Sequence, residues 1–162
     1  MIDKRSWLVA SAATLAVLFA GCATSSGPKT VAQTIAENPQ LSTLNKLIQE
    51  NGLTDALNAA GPYTVFAPTN DAFKAVPARA WDSLAKDKER LTAYLKFHVV
   101  PGTMMADNVR NGSAPTLNGA KIALSRAGSA VTVEDAIVTT PDLKASNGVV
   151  HVIDRVLVPP TK

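Results

Sequence analysis

Cys22, His98 and His151 are the only cysteine and the only histidines in this sequence, and so the side chains best suited to nucleophilic, acid–base or soft-metal chemistry. Imidazoles combined with carboxylates can hold zinc. Here no H-x-x-x-H pattern and no cysteine pair accompanies them, and His151 lies inside a long apolar run. Both histidines therefore read as interior groups with hydrogen-bond partners, and neither a metal nor a cofactor is expected. An enzyme needs a convergent nucleophile, base and charge stabiliser. The chain has no G-x-S-x-G, no phosphate-cradling glycine loop and no dinucleotide fingerprint, so catalysis is not expected.

Cys22 has a different context. Met1 to Arg5 carries two basic residues, an apolar run follows from Trp7 to Ala20, and small residues surround the cysteine. These are the parts of a secretory signal. As a helix, residues 7–20 would reach about 21 Å, short of the ~30 Å hydrocarbon core, so the run reads as an export signal and not a retained span. Leu18-Phe19-Ala20-Gly21-Cys22 resembles a bacterial lipobox, with Phe19 in place of the usual aliphatic residue. The resemblance implies lipid on the Cys22 sulfur, with cleavage before it. Ala23, where inner-membrane retention would put Asp, favours the outer membrane of a Gram-negative host. Ordinary cleavage, giving a secreted or periplasmic protein, is the alternative. The expected organisation is a signal peptide over 1–21, the lipid-bearing cysteine and a flexible linker over 22–29, and one domain over 30–160.

The formal net charge of +3 is too small, and the basic residues too scattered, to suggest nucleic acid. The one local cluster, Lys86-Asp87-Lys88-Glu89-Arg90, mixes signs and reads as a solvated helix start.

Val31, Ile35, Leu41, Leu44 and Ile48 recur at helical spacing, with Thr30 and Pro39 as start signals and Asn51-Gly52 as a stop. A short helix follows from Leu53, closed by Gly61. Tyr63–Phe66 reads as a strand ended by Pro68, and Thr69 or Asn70 caps a helical turn beginning at Asp71. Leu91, Tyr94 and Leu95 mark a helix running into a strand at Phe97–Val100, stopped by Pro101-Gly102. Beyond it, short apolar runs alternate with turn residues, and Asn118-Gly119 is a hairpin signal. Val149–Val158 reads as a central strand, apolar on both faces. Helices first and strands after give an α+β class.

Two segments carry a family resemblance: Tyr63-Thr-Val-Phe-Ala-Pro-Thr-Asn-Asp-Ala-Phe73 and Asn147-Gly-Val-Val-His-Val-Ile-Asp-Arg-Val-Leu-Val-Pro-Pro160. Both resemble signature segments of the fasciclin-like domain family. Between them, Phe97-His98-Val99-Val100-Pro101 is similar to the family's tyrosine–histidine motif, with Phe97 replacing the tyrosine. The resemblance covers residues 28–160. It implies a wedge of two small β-sheets with helices packed on one side, and a role in adhesion or matrix binding.

Thr64, Val65, Phe66, Pro68, Thr69, Asn70, Asp71, Phe73, Gly148, His151 and Ile153 are read as structural signature residues. The resemblance implies that His98 bonds to Asp71 or Thr69. Thr140-Pro-Asp-Leu-Lys144 is similar to the family's Asp-Ile adhesion motif, with Leu143 replacing isoleucine and Lys144 an apolar residue, and is read in preference as a Pro-Asp turn whose leucine plugs the core. Asp142, Leu143, Phe97 and His98 are the candidate partner-binding residues. The expected function is an envelope-anchored, monomeric adhesion module contacting matrix, polysaccharide or another surface protein. The alternative is capture of a small lipid or glycan in a groove beside the helices.

Overall fold

The computed structural model describes residues 28–160. The signal segment and the lipid attachment expected at Cys22 lie outside the described residues. The helices are α1 (Val31–Glu37), α2 (Ser42–Glu50), α3 (Thr54–Asn58), α4 (Asn70–Lys74), α5 (Ala78–Ala85) and α6 (Lys88–Phe97). The strands are β1 (Tyr63–Pro68), β2 (Val99–Pro101), β3 (Gly112–Pro115), β4 (Lys121–Ala127), β5 (Ala130–Val133), β6 (Ala136–Ala145) and β7 (Gly148–Ile153).

Local chemistry accounts for most of the boundaries. Thr30 and Gln33 form a reciprocal capping box at α1, which buries Val31, Ala32 and Ile35. Asp87 caps α6 by accepting from Glu89 N and Arg90 N, so the mixed-charge cluster is indeed a helix start. Thr69, not Asn70, caps α4, accepting from Ala72 N. Phe97 and His98 are not in a strand as expected. The apolar spacing of Leu91, Tyr94 and Leu95 continues to His98, so α6 runs through Phe97 and His98 is its C-cap. Sequence periodicity did not reveal α5, because none of its residues is fully buried. Trp81 holds it by packing edge-on against Phe73, with ring centroids 5.4 Å apart.

The strands run in the order β2-β1-β7-β6-β5-β4-β3. Only β1–β7 is a parallel pair; the rest are antiparallel. The two small sheets are halves of this one ladder, joined by β6. Ala136 and Ile137 pair with β5, and residues from Val138 to Ala145 pair with β7. The register slips between Val138 and Leu143. Pro141 offers no N–H there and Asp142 turns to φ +57°, so the expected Pro-Asp turn is a bulge within a strand. The hairpin at Asn118-Gly119 forms, joining β3 to β4, with Gly119 at φ +86°. The sheet curls until its edges approach, and Leu117 N, just past β3, donates to Val99 O of β2 at 2.8 Å.

All six residues of β7 are buried, as a central strand requires. The strand stops at Ile153, short of the expected Val158. Asp154 turns away, its carboxylate accepting from Ile137 N at 2.7 Å. Alternation splits the two central strands between two cores. Val65, Ala67, Val150 and Val152 face the helices, packing with Val31, Ile35, Leu41 and Leu44. Phe66 and Ile153 face the interior of the curled half, among Ile122, Leu124, Val131 and Val133.

Two asparagines staple the helices to this sheet. Asn147 Nδ2 donates to Leu57 O and Ala59 O at 2.7 and 2.9 Å, closing α3. Its Oδ1 accepts from Val31 N at the start of α1, 2.8 Å away, and its carbonyl accepts from Tyr63 N at the start of β1. Asn70 Oδ1 accepts from Thr43 N at 2.9 Å while Nδ2 donates to Pro39 O. Because α2 has no side-chain cap of its own, Asn70 acts as a cap from 27 residues away. Next to Asn147, Gly148 lies so near the Tyr63 carbonyl that any Cβ would clash with backbone.

Asn147→Ala removes three side-chain hydrogen bonds and leaves Val31 N and Leu57 O without their partners. The variant should lose more than about 2 kcal/mol in denaturant unfolding, given ~1–3 kcal/mol per unsatisfied buried group. A midpoint equal to that of the unmodified chain would remove Asn147 from this role.

Candidate functional site

Three polar side chains converge on the loop after β2. Thr64, fully buried in β1, donates from Oγ1 to Gly102 O at 2.7 Å and accepts from Met104 N at 2.8 Å. His151, from β7, donates from Nε2 to Met104 O at 2.7 Å. Asp142, on the β6 bulge, accepts from Ala106 N at 2.8 Å. The Asp142 N–H in turn donates to His151 Nδ1 at 3.2 Å, which fixes the ring as the neutral Nε2–H tautomer. Phe66 stacks on His151, with ring centroids 5.5 Å apart. Burial lowers the His151 pKa, while the Met104 carbonyl and the nearby Asp142 charge oppose the shift.

The other imidazole has the opposite tautomer. His98 Nδ1–H donates to Tyr94 O at 2.9 Å, and Nε2 accepts from Leu157 N at 3.0 Å. This bond pins the segment after β7 against the end of α6, with Leu157 buried. Burial pushes the His98 pKa down to about 4, against a smaller upward pull from the Tyr94 carbonyl.

A broad groove opens on the outer side of that pinned segment. It encloses about 1150 Å³ between α5, α6 and residues 155–160. Val76, Ala80, Leu84 and Val156 contribute apolar lining, and Arg90, Arg155 and Tyr94 contribute polar groups.

A model of the fasciclin domain matches residues 39–159. The chain belongs to the fasciclin domain family. Protein sll1483 of Synechocystis sp. is 43% identical over 133 residues, which cover 81% of this chain and 74% of that protein. The cell surface glycolipoprotein MPB83 of Mycobacterium bovis is 37% identical over 137 residues, covering 82% of this chain and 61% of its own length. The fold matches a domain pair from the insect cell adhesion molecule fasciclin I, with a TM-score of 0.64 at 18% identity, over 80% of this chain and 51% of that one.

Within this fasciclin domain the residues singled out from sequence have separate fates. Phe97 and His98 are enclosed, at 1% and 2% exposure, so neither presents a side chain to a partner on the folded surface. His98 does not bond to Asp71 or Thr69. Asp71 is exposed and pairs with Lys74 at 2.8 Å, and Thr69 is used as a cap. His98 meets the first signature segment through its carbonyl, which accepts from Phe66 N at 2.9 Å. Leu143 packs, partly buried, against the helix-side core, and Asp142 is tied to Ala106 and His151. The structural signature residues gather in the two central strands and the α4 cap. Sequence reasoning missed Asn147 as a hub and the Leu157–His98 bond. Asn147 did have a signal, since it heads the second signature segment beside a glycine.

His98 links stability to pH. Above pH 6.5, its ordinary value, the ring is neutral in both the folded and unfolded chain. Below that, the unfolded chain takes up a proton that the folded chain refuses until about pH 4. Stability should therefore fall by roughly 3 kcal/mol across this window, with His151 adding in the same direction. His98→Ala should cost more than about 1 kcal/mol at pH 7, because Leu157 N loses its acceptor. It should also flatten the acid limb measured by denaturant unfolding between pH 7 and 4.5. A variant with the full acid loss of the unmodified chain would show that His98 is not its source.

Proposed function

We propose that this fasciclin domain is an adhesion or binding module held at a bacterial envelope by lipid on Cys22, contacting matrix, polysaccharide or another surface protein. The observation carrying this reading is the order of parts. An export-type leader and a lipobox-like cysteine directly precede a single fasciclin domain over residues 39–159. The alignment with a relative named as a cell surface glycolipoprotein, across 82% of this chain, supports the same placement. Among the described residues no helix is long and apolar enough to cross a membrane, so attachment in this reading falls to the acyl groups. Two or three chains, at ~0.8 kcal/mol per buried CH₂, give firm anchoring.

The reading is non-enzymatic. Both imidazoles, the groups most suited to acid–base work near pH 7, are used as neutral partners of backbone atoms. The domain begins at once after a linker of seven residues, 23–29, which reaches at most ~25 Å. It therefore works close to the bilayer, and its partner must come to that surface.

Cys22→Ser should abolish incorporation of labelled palmitate and move the protein from the membrane to the soluble fraction. A deletion strain should attach less to surfaces, with rescue by the unmodified gene and not by the Cys22→Ser form. Normal attachment in the deletion strain, together with no retention of the purified protein on surface polymers, would overturn the adhesion reading.

A further inference from the structure

We propose that the groove between α5, α6 and residues 155–160 binds a single-chain amphiphile with an anionic head, of the class of long-chain fatty acid carboxylates. The proposal stands apart from the adhesion reading, since it concerns a different face and a different kind of ligand.

The lining has two chemistries. Its apolar part comes from short side chains on α4 and α5 and from Val156 and Val158 on the opposite wall. Val158 is 69% exposed, and Leu117, beside the groove's Asn118 rim, is 44% exposed. With Ile137 they are the exposed large hydrophobics among the described residues. The volume, about 1150 Å³, lies just above the ~300–1,000 Å³ usual for small-molecule sites, enough for an extended chain.

Its charged part has one sign. Arg90 and Arg155 line the groove, and among the described residues no carboxylate does. Arg90 pairs with Asp87 at 3.2 Å, which leaves most of its five N–H donors unused. Arg155 makes no ion pair and no side-chain hydrogen bond among the described residues. Tyr94 adds a third donor. It lines the groove, is only 9% exposed, and its hydroxyl makes no hydrogen bond among the described residues. Burial raises its pKa, which keeps the proton on the phenol.

Cations and a phenol donor beside a long apolar lining fit a molecule with an anion at one end of a hydrocarbon chain. A neutral hydrocarbon would desolvate the arginines without pairing them. A bare inorganic anion would leave the apolar walls wet. A peptide would need backbone partners along its length; the helices of one wall have theirs satisfied internally, and Pro159 and Pro160 of the other have no N–H to give. The opposite wall is held by the Leu157–His98 bond, so the groove is preformed.

The test is titration of the full chain carrying Cys22→Ser, so that no acyl group of its own competes. With Trp7→Phe added to remove the other tryptophan, Trp81 fluorescence reports from α5, and oleate below its micelle concentration is the probe. One oleate should bind per chain. Oleyl alcohol should bind at least tenfold more weakly, and inorganic phosphate should not compete. Shortening the acid should weaken binding, by about fourfold per methylene at full burial. Arg155→Glu should weaken oleate at least tenfold with an unchanged melting temperature, and Arg155→Gln by less. Ala80→Phe should block the groove. Equal affinity for oleate and oleyl alcohol, full competition by phosphate, no saturable binding, or preference for an acidic peptide over oleate would each overturn the proposal.

Discussion

The side-chain amide of Asn147 sits where the starts of α1 and β1 and the end of α3 meet the turn into β7. Its oxygen accepts from one backbone N–H, its nitrogen donates to two carbonyls, and its own carbonyl takes the first N–H of β1. Short helices are marginal alone, because their end groups lack partners and they make few internal bonds. α1 and α3 have seven and five residues. They persist because one asparagine in the turn before the central strand satisfies their ends while their apolar faces pack on Val150 and Val152. Gly148 belongs to the same constraint, since only a residue without Cβ lets the strand come so near Tyr63.

The signature segments are thus mainly instructions for joining layers. Asn70 caps α2 from a distance, Thr64 and His151 fix the loop after β2, and His98 fixes the segment after β7. Element type and order were legible because they follow local periodicity, caps and turn residues: Thr30, Asp87, Pro68 and Asn118-Gly119 act where they stand. Less legible were features that depend on distant chain. The end of α6 looked like strand because Phe97 to Val100 is an apolar run, and only the three-dimensional helix face separates Phe97 from Val99. β7 stopped early because Asp154 found Ile137 across the ladder. The candidate contact residues were misleading for the same reason. Phe97 and His98 look like a motif on paper, and the fold turns both inward. A groove beside the helices was the alternative expectation, but no segment marked its lining, which is drawn from four separate stretches of the chain.

Curling brings the two edges of the seven-stranded ladder together at Leu117 and Val99. An open edge invites strand addition by another chain. Here the approach of the edges, and the loop held by Thr64, His151 and Asp142, cover much of what β2 would expose. Two copies brought together therefore have little strand backbone to offer each other at this edge.

The first described residues are fastened to the turn before β7. Lys29 O accepts from Ser146 N at 2.7 Å, and Val31 N is held by Asn147. Whatever holds the chain ahead of Lys29, traction on it passes straight to the β6–β7 turn and so to the central strand, bypassing the small helices. Force applied between that point and the far side of the domain would load the most buried strand, which is paired on both sides. α5, none of whose residues is fully buried, lies off that line.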